Sequence, residues 1–258
     1  MNDKQHEEYQ DQLKENLQKI LIDGLSEKTG FDKKTGLLQK TENVCKRFIG
    51  MPFVGENYGR NGYPKILIVG SDIGSDECVD AEGKPNDGIN YYHTFETKEK
   101  ACVHKTNKYN AHLAGTYMTA LYLLRGCDNK FEEMWSLVDE EITAQRNLKK
   151  FNADDVARIA SFIAFTNIHN FVTTGRKYKS GGKDRKNFED GELEIFLDEV
   201  KCFAPDVIIL QAIDYIPKDV YEAVSENAKT FKLRHPSTRI KGGRIMKEMV
   251  IKPLAVDL

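Results

Sequence analysis

Cysteine, tryptophan and proline are scarce in this 258-residue chain, and net charge is almost absent. The five cysteines, Cys45, Cys78, Cys102, Cys127 and Cys202, are odd in number, scattered and free of any C-x-x-C spacing. That pattern argues against a disulfide scaffold and offers no framework for zinc or an iron–sulfur cluster, so neither a metal nor a cofactor is expected. Thirty-eight Lys and Arg against forty Asp and Glu leave a formal charge of −2, so any basic surface has to be local. No apolar run approaches the roughly 20 residues needed to cross a bilayer. The opening Met1-Asn2-Asp3-Lys4-Gln5-His6 lacks the apolar core of a signal peptide. The expectation is a soluble, cytoplasmic protein with no membrane partner.

What the chain does have is a set of buried-strand patterns, each ending in polar residues. Lys65-Ile66-Leu67-Ile68-Val69-Gly70 is an unbroken aliphatic run that stops on glycine and presents Asp72 immediately afterwards. Such runs belong to strands covered on both faces, and parallel sheets bind ligands beyond the carboxyl ends of these strands. A second strand is expected over 161–167, ending in Thr166-Asn167, a third over 206–210, and a fourth over about 230–233, leading to His235. Helical spacing predicts helices over about 4–24 with Gly24 as the stop, 37–48, 110–125, 131–149, from Asp154, and 189–203. Residues 51–56 and 75–90 read as loops, the latter broken by Gly83, Pro85 and Gly88. The expected fold class is α/β: a three-layer α/β/α arrangement with a central, mostly parallel four-stranded sheet. The expected organisation is an N-terminal helical extension over 1–50 and an α/β domain over 51–258. The carboxyl edge of that sheet is expected to gather Asp72, Asn167, Gln211 and His235.

Gly70-Ser71-Asp72-Ile73-Gly74, Thr166-Asn167 and His235-Pro236-Ser237 follow one another in the order, and on the elements, of the motifs of the uracil-DNA glycosylase superfamily, which the chain resembles over roughly residues 50–258. Pro52-Phe53-Val54-Gly55 echoes a segment of some members. Ile73 stands where the family usually has proline, and four cysteines of the iron–sulfur members have no counterpart. The resemblance implies a DNA glycosylase that flips out and excises an abnormal, mismatched or modified pyrimidine, leaving an abasic site. It implies DNA as the partner. Asp72 would stabilise a cationic sugar and orient water, and His235 would stabilise the departing base anion. Asn167, donor and acceptor at once, would read the base edge, within a pocket formed with Gly70, Ser71 and Gly74. Gly74 occupies the place where uracil-specific members carry a tyrosine, which implies a pocket open to substituents at C5. Tyr92, with Tyr91 and Phe95, is a candidate for stacking on the flipped base.

Local basic surface is concentrated where such an enzyme would meet phosphate. The run 176–186 carries Arg176, Lys177 and Lys179 among its six positive charges, interleaved with glycines and one tyrosine. Arg234, Arg239, Lys241 and Arg244 surround the His-Pro-Ser turn, whose Ser237 is a further candidate for DNA contact.

Each of these residues also admits a plainer role: Asp72 as a helix N-cap, His235 as a turn histidine, Asn167 as a turn amide, with neighbouring Asn170 competing for the base-reading role, and the basic run as a solvated loop. Two other functions fit the same residues. One is a family member without turnover that only binds nucleic acid or a base. The other is an esterase-like hydrolase using Ser71 and His235, although Ser71 lacks the Gly-x-Ser-x-Gly context of a nucleophile elbow.

Overall fold

The aliphatic run that dominates the sequence becomes the centre of a five-stranded sheet. The computed structural model describes residues 1–41, 44–70, 94–96, 98–99, 111–173, 188–211, 216–234 and 245–255. In chain order the strands are β1 (Leu37–Thr41), β2 (Val44–Phe48), β3 (Phe53–Val54), β4 (Ile66–Gly70), β5 (Ile163–Asn167), β6 (Phe171–Thr173), β7 (Val207–Gln211) and β8 (Lys229–Leu233). The main sheet runs β3-β5-β4-β7-β8, with β3 antiparallel to β5 and the other four strands mutually parallel.

Side-chain alternation along these strands divides the interior into two apolar layers. Ile66, Ile68, Ile163, Phe165, Ile209, Phe231 and Leu233 point to one face. Leu67, Val69, Ala164, Ile208 and Leu210 point to the other. The first face is covered by helices α3 (Ala111–Leu124), α4 (Asn129–Ser136), α5 (Ala144–Leu148) and α6 (Ala153–Ser161), and by the C-terminal turns over Lys247–Ile251 and Lys252–Ala255. The second is covered by α1 (Asp3–Gln18), its continuation through Lys19–Gly24 into α2 (Leu25–Thr29), α7 (Glu192–Phe203) and α8 (Lys218–Ser225). The fold is therefore α/β with a mostly parallel sheet and helices on both faces, compatible with a three-layer arrangement. Among the described residues, no helix is long and apolar enough to cross a membrane.

Four expectations need correction. The sheet has five strands, not four, because Phe53–Val54 adds an antiparallel edge to β5. Residues 37–41 and 44–48 form two antiparallel strands, β1 and β2, in place of a helix, and β2 also pairs with β6 in a separate three-stranded sheet. That distant partner fixes the backbone against the local pattern. Gly24 does not stop the first helix: its φ is helical, and a Cβ there would sit 3.0 Å from Ile195 Cδ1, so the glycine allows α7 to approach. The stop is Gly30, left-handed at φ 76°. Finally, the helix expected over 131–149 is two helices separated by a turn. The Asn147 amide holds that turn, accepting from Asp139 N at 2.8 Å and donating to Asp139 O at 2.8 Å.

The N-terminal helices belong to the second apolar layer. Leu13, Leu17, Leu21 and Leu25 recur every four residues, all buried, in the same cluster as Leu67 and Val69 of β4. Truncating one of them opens a cavity beneath the sheet. Leu21→Ala is expected to lower the unfolding free energy in urea by about 2–5 kcal/mol, and a loss below about 0.5 kcal/mol would show that this stripe does not belong to the core.

Candidate functional site

Parallel pairing aligns the strand ends. Gly70 lies opposite Asn167, and Gln211 opposite Leu233, so β5, β4, β7 and β8 finish together on one edge. Between β4 and β5 the described residues include Phe95, against the second layer, and then the helices of the first face, whereas α7 and α8, which precede β7 and β8, lie on the second. In open parallel sheets, ligands bind beyond the carboxyl ends of neighbouring strands whose helices cover opposite faces, and β4 and β7 are neighbours of that kind. Asp72 is two residues beyond the end of β4, and His235 two beyond the end of β8. Those strands are two sheet spacings apart, about 10 Å, which is the scale of a nucleoside.

Of the residues expected to do chemistry, Gly70, Asn167 and Arg234 are described. Ser71, Asp72, Gly74, Tyr92, Arg176, Lys177, Lys179, His235, Ser237 and Arg239 lie outside the described residues. Gly70 and Asn167 meet directly. A Cβ built on Gly70 would stand 2.5 Å from Asn167 Oδ1, closer than any real side chain tolerates, so only glycine lets the amide lie across the end of β4. Asn167 is 2 % exposed. Arg234 is exposed, directly after β8. Gln211 is fully buried and its amide is occupied internally: Thr116 Oγ1 of α3 donates to its Oε1 at 3.3 Å and accepts from its Nε2 at 3.1 Å. It therefore fastens α3 to the sheet. Phe95, a stacking candidate in the sequence, packs against the second apolar layer.

Helix α7 supplies two carboxylates that sequence reasoning missed. Glu192 is 2 % exposed and accepts from the backbone N–H groups of Asn170 at 2.5 Å, Phe171 at 3.2 Å and Glu189 at 2.8 Å. It clamps the three-residue bend, 168–170, by which the chain passes from β5 to β6. His169 in that bend is buried, its Nδ1 3.8 Å from Glu192 Oε2, with Phe188 tilted on its ring at 4.6 Å. Glu199, one residue level lower, is wholly buried and accepts from Thr166 Oγ1 at 2.6 Å. Both glutamates were findable: they share the spacing of Ile195, Phe196, Val200 and Phe203 on the inner face of α7, where an apolar stripe is expected to continue.

Burial pushes the Glu199 carboxyl up to about 8, against opposing effects of the Thr166 hydrogen bond and the Lys98 ammonium. Near neutral pH Glu199 is therefore mostly a neutral acid beneath the residue that precedes Asn167. Its Oε2 is buried without a hydrogen-bond partner. Among the described residues, no group of three or more His, Cys, Asp or Glu is placed to hold a metal ion.

Comparisons with protein-family models, with curated proteins and with solved structures give no match to this chain.

The raised Glu199 value has a definite consequence for stability. The folded state keeps a proton that the unfolded chain loses above about 4.5, so stability is full below that pH, falls as pH rises toward about 8, and is level beyond. Glu199→Gln, which stays neutral throughout, is expected to match the parent near pH 4.5 and exceed its unfolding free energy near pH 8. The slope removed is on the order of 1 kcal/mol per pH unit. Parallel profiles for the two proteins in urea titrations across this range would contradict the assignment.

Proposed function

We propose that this protein is a DNA glycosylase of the uracil-DNA glycosylase type, with an α/β/α three-layer fold, that excises an abnormal, mismatched or 5-modified pyrimidine. The observation that carries the reading is the adjacency of the motif-bearing strands. Gly70 of the first motif and Asn167 of the second touch at the ends of paired parallel strands, and the His-Pro-Ser turn follows a strand of the same edge. A short motif is weak evidence alone; three motifs whose strands end on one sheet edge are stronger support.

Excision requires the nucleotide to leave the stack and enter a pocket. The bond from C1′ to the base nitrogen then breaks, its electron pair departs with the base, and the sugar becomes cationic. In this reading the Asp72 carboxylate stabilises that cation and takes a proton from the water whose oxygen joins C1′. His235 donates a hydrogen bond to the anionic base as it leaves. The buried amide of Asn167 reads the pyrimidine edge, and Ser71 contributes through its backbone amide. Gly74 leaves room at C5, and Tyr92 stacks on the base. Arg176, Lys177, Lys179, Arg234, Ser237 and Arg239 hold phosphates. The chemistry needs neither a metal nor a cofactor, and the absence of a lysine from the motifs fits a monofunctional enzyme.

Oligonucleotides carrying uracil, mismatched thymine and 5-substituted pyrimidines, assayed for alkali-labile strands, test this directly. The parent protein is expected to cleave at least one. Asp72→Asn is expected to lose a factor of about 10²–10⁴ in rate while its DNA affinity stays within a few-fold. Binding of these oligonucleotides without cleavage by the parent would replace the enzyme with a base-binding protein. Full activity in Asp72→Asn would remove that residue from its role.

A further inference from the structure

The bend after β5 holds an amide that the fold does not use. Asn170 is 3 % exposed, and its Nδ2 is buried with no hydrogen-bond partner. Its backbone, in contrast, is fully engaged: the N–H donates to Glu192 Oε1 at 2.5 Å, and the C=O accepts from Ile49 N at 2.9 Å. The residue is therefore held rigidly, three positions after Asn167, at the carboxyl edge. Leaving a buried N–H donor unsatisfied is costly, and the great majority of such groups in folded proteins are paired. Among the described residues, none bonds this amide nitrogen. An apolar side chain of similar size would fill the same space without the penalty.

Unsatisfied polar groups and local strain are retained where function requires them. The group left open is a donor, so the ligand that completes it brings an acceptor. A pyrimidine base carries such acceptors in its ring carbonyls. We infer that Asn170 is a second substrate-reading residue, whose Nδ2 donates to a carbonyl oxygen of the flipped pyrimidine alongside Asn167. This rests on the glycosylase reading and deepens it. A second donor beside that of Asn167 suits a dicarbonyl pyrimidine, a uracil or thymine derivative, whose two ring carbonyls take one donor each. The Glu192 carboxylate acts as a positioning group, because it fixes the backbone of the bend.

The test uses two readouts that a structural amide and a reading amide move in opposite directions. Asn170→Leu removes the open donor and keeps the volume, so its thermal midpoint is expected to rise by about 2–4 °C. Its kcat/KM on the preferred oligonucleotide is expected to fall at least about tenfold. Asn170→Asp, which substitutes an acceptor for the donor, should lose activity similarly, with the greater loss on dicarbonyl pyrimidines. A lowered midpoint in Asn170→Leu would mean that the amide supports the fold, and the inference would fail. Unchanged kcat/KM in both variants, with an active parent, would overturn it while leaving the glycosylase reading intact. A parent that neither cleaves nor binds the oligonucleotides would overturn both.

Discussion

The contact between the bare Cα of Gly70 and the side chain of Asn167 is the constraint on which the rest of the site depends. It exists because β4 and β5 are parallel and in register to their last residues, so that a glycine ends one strand where an asparagine ends the next. With any Cβ at position 70, the amide would have to rotate away or the strands part. Parallel register is in turn set by burial: every residue of β4 and β5 is buried, and a slip of one residue would turn each side chain to the opposite layer. The geometry of this contact thus derives from the packing of the seven apolar side chains of the two strands.

A second layer of control comes from α7. Its inner face should be wholly apolar, yet Glu192 and Glu199 interrupt it and both reach the end of β5. Glu192 satisfies the backbone N–H groups of Asn170 and Phe171 at the bend and of Glu189 ahead of its own helix, and Glu199 receives the hydroxyl of Thr166. Burying carboxyls is costly, and Glu199 meets part of that cost by holding its proton. The strand end is thereby rigid from below and from beyond. That is the preorganisation a base-reading surface needs, since it leaves the ligand little ordering to impose.

Much of this was legible in the sequence because the central strands are unusually uniform. Four consecutive aliphatics before Gly70, and similar runs before Asn167 and Gln211, can be little else than covered parallel strands, and their polar terminations marked the edge on which the site is proposed. What was not legible depended on distant partners. The paired strands β1 and β2 take their conformation from β6, more than a hundred residues away. Gly24 looked like a helix stop but makes room for Ile195. Gln211 looked like an edge residue but is held by Thr116. The idle amide of Asn170 was invisible, since whether a polar group is satisfied is a property of packing and not of spacing.

The central claim is that the paired ends of β4 and β5 form the floor of a base-excision site. Gly70→Ala tests it most directly, with release of free base from a modified oligonucleotide followed by mass spectrometry and folding checked by thermal melting. The account predicts that the parent releases base and that the alanine variant, still folded, releases it at least about 100-fold more slowly, because displacing a positioning group by an ångström costs on that order. Equal rates for the two folded proteins would contradict it.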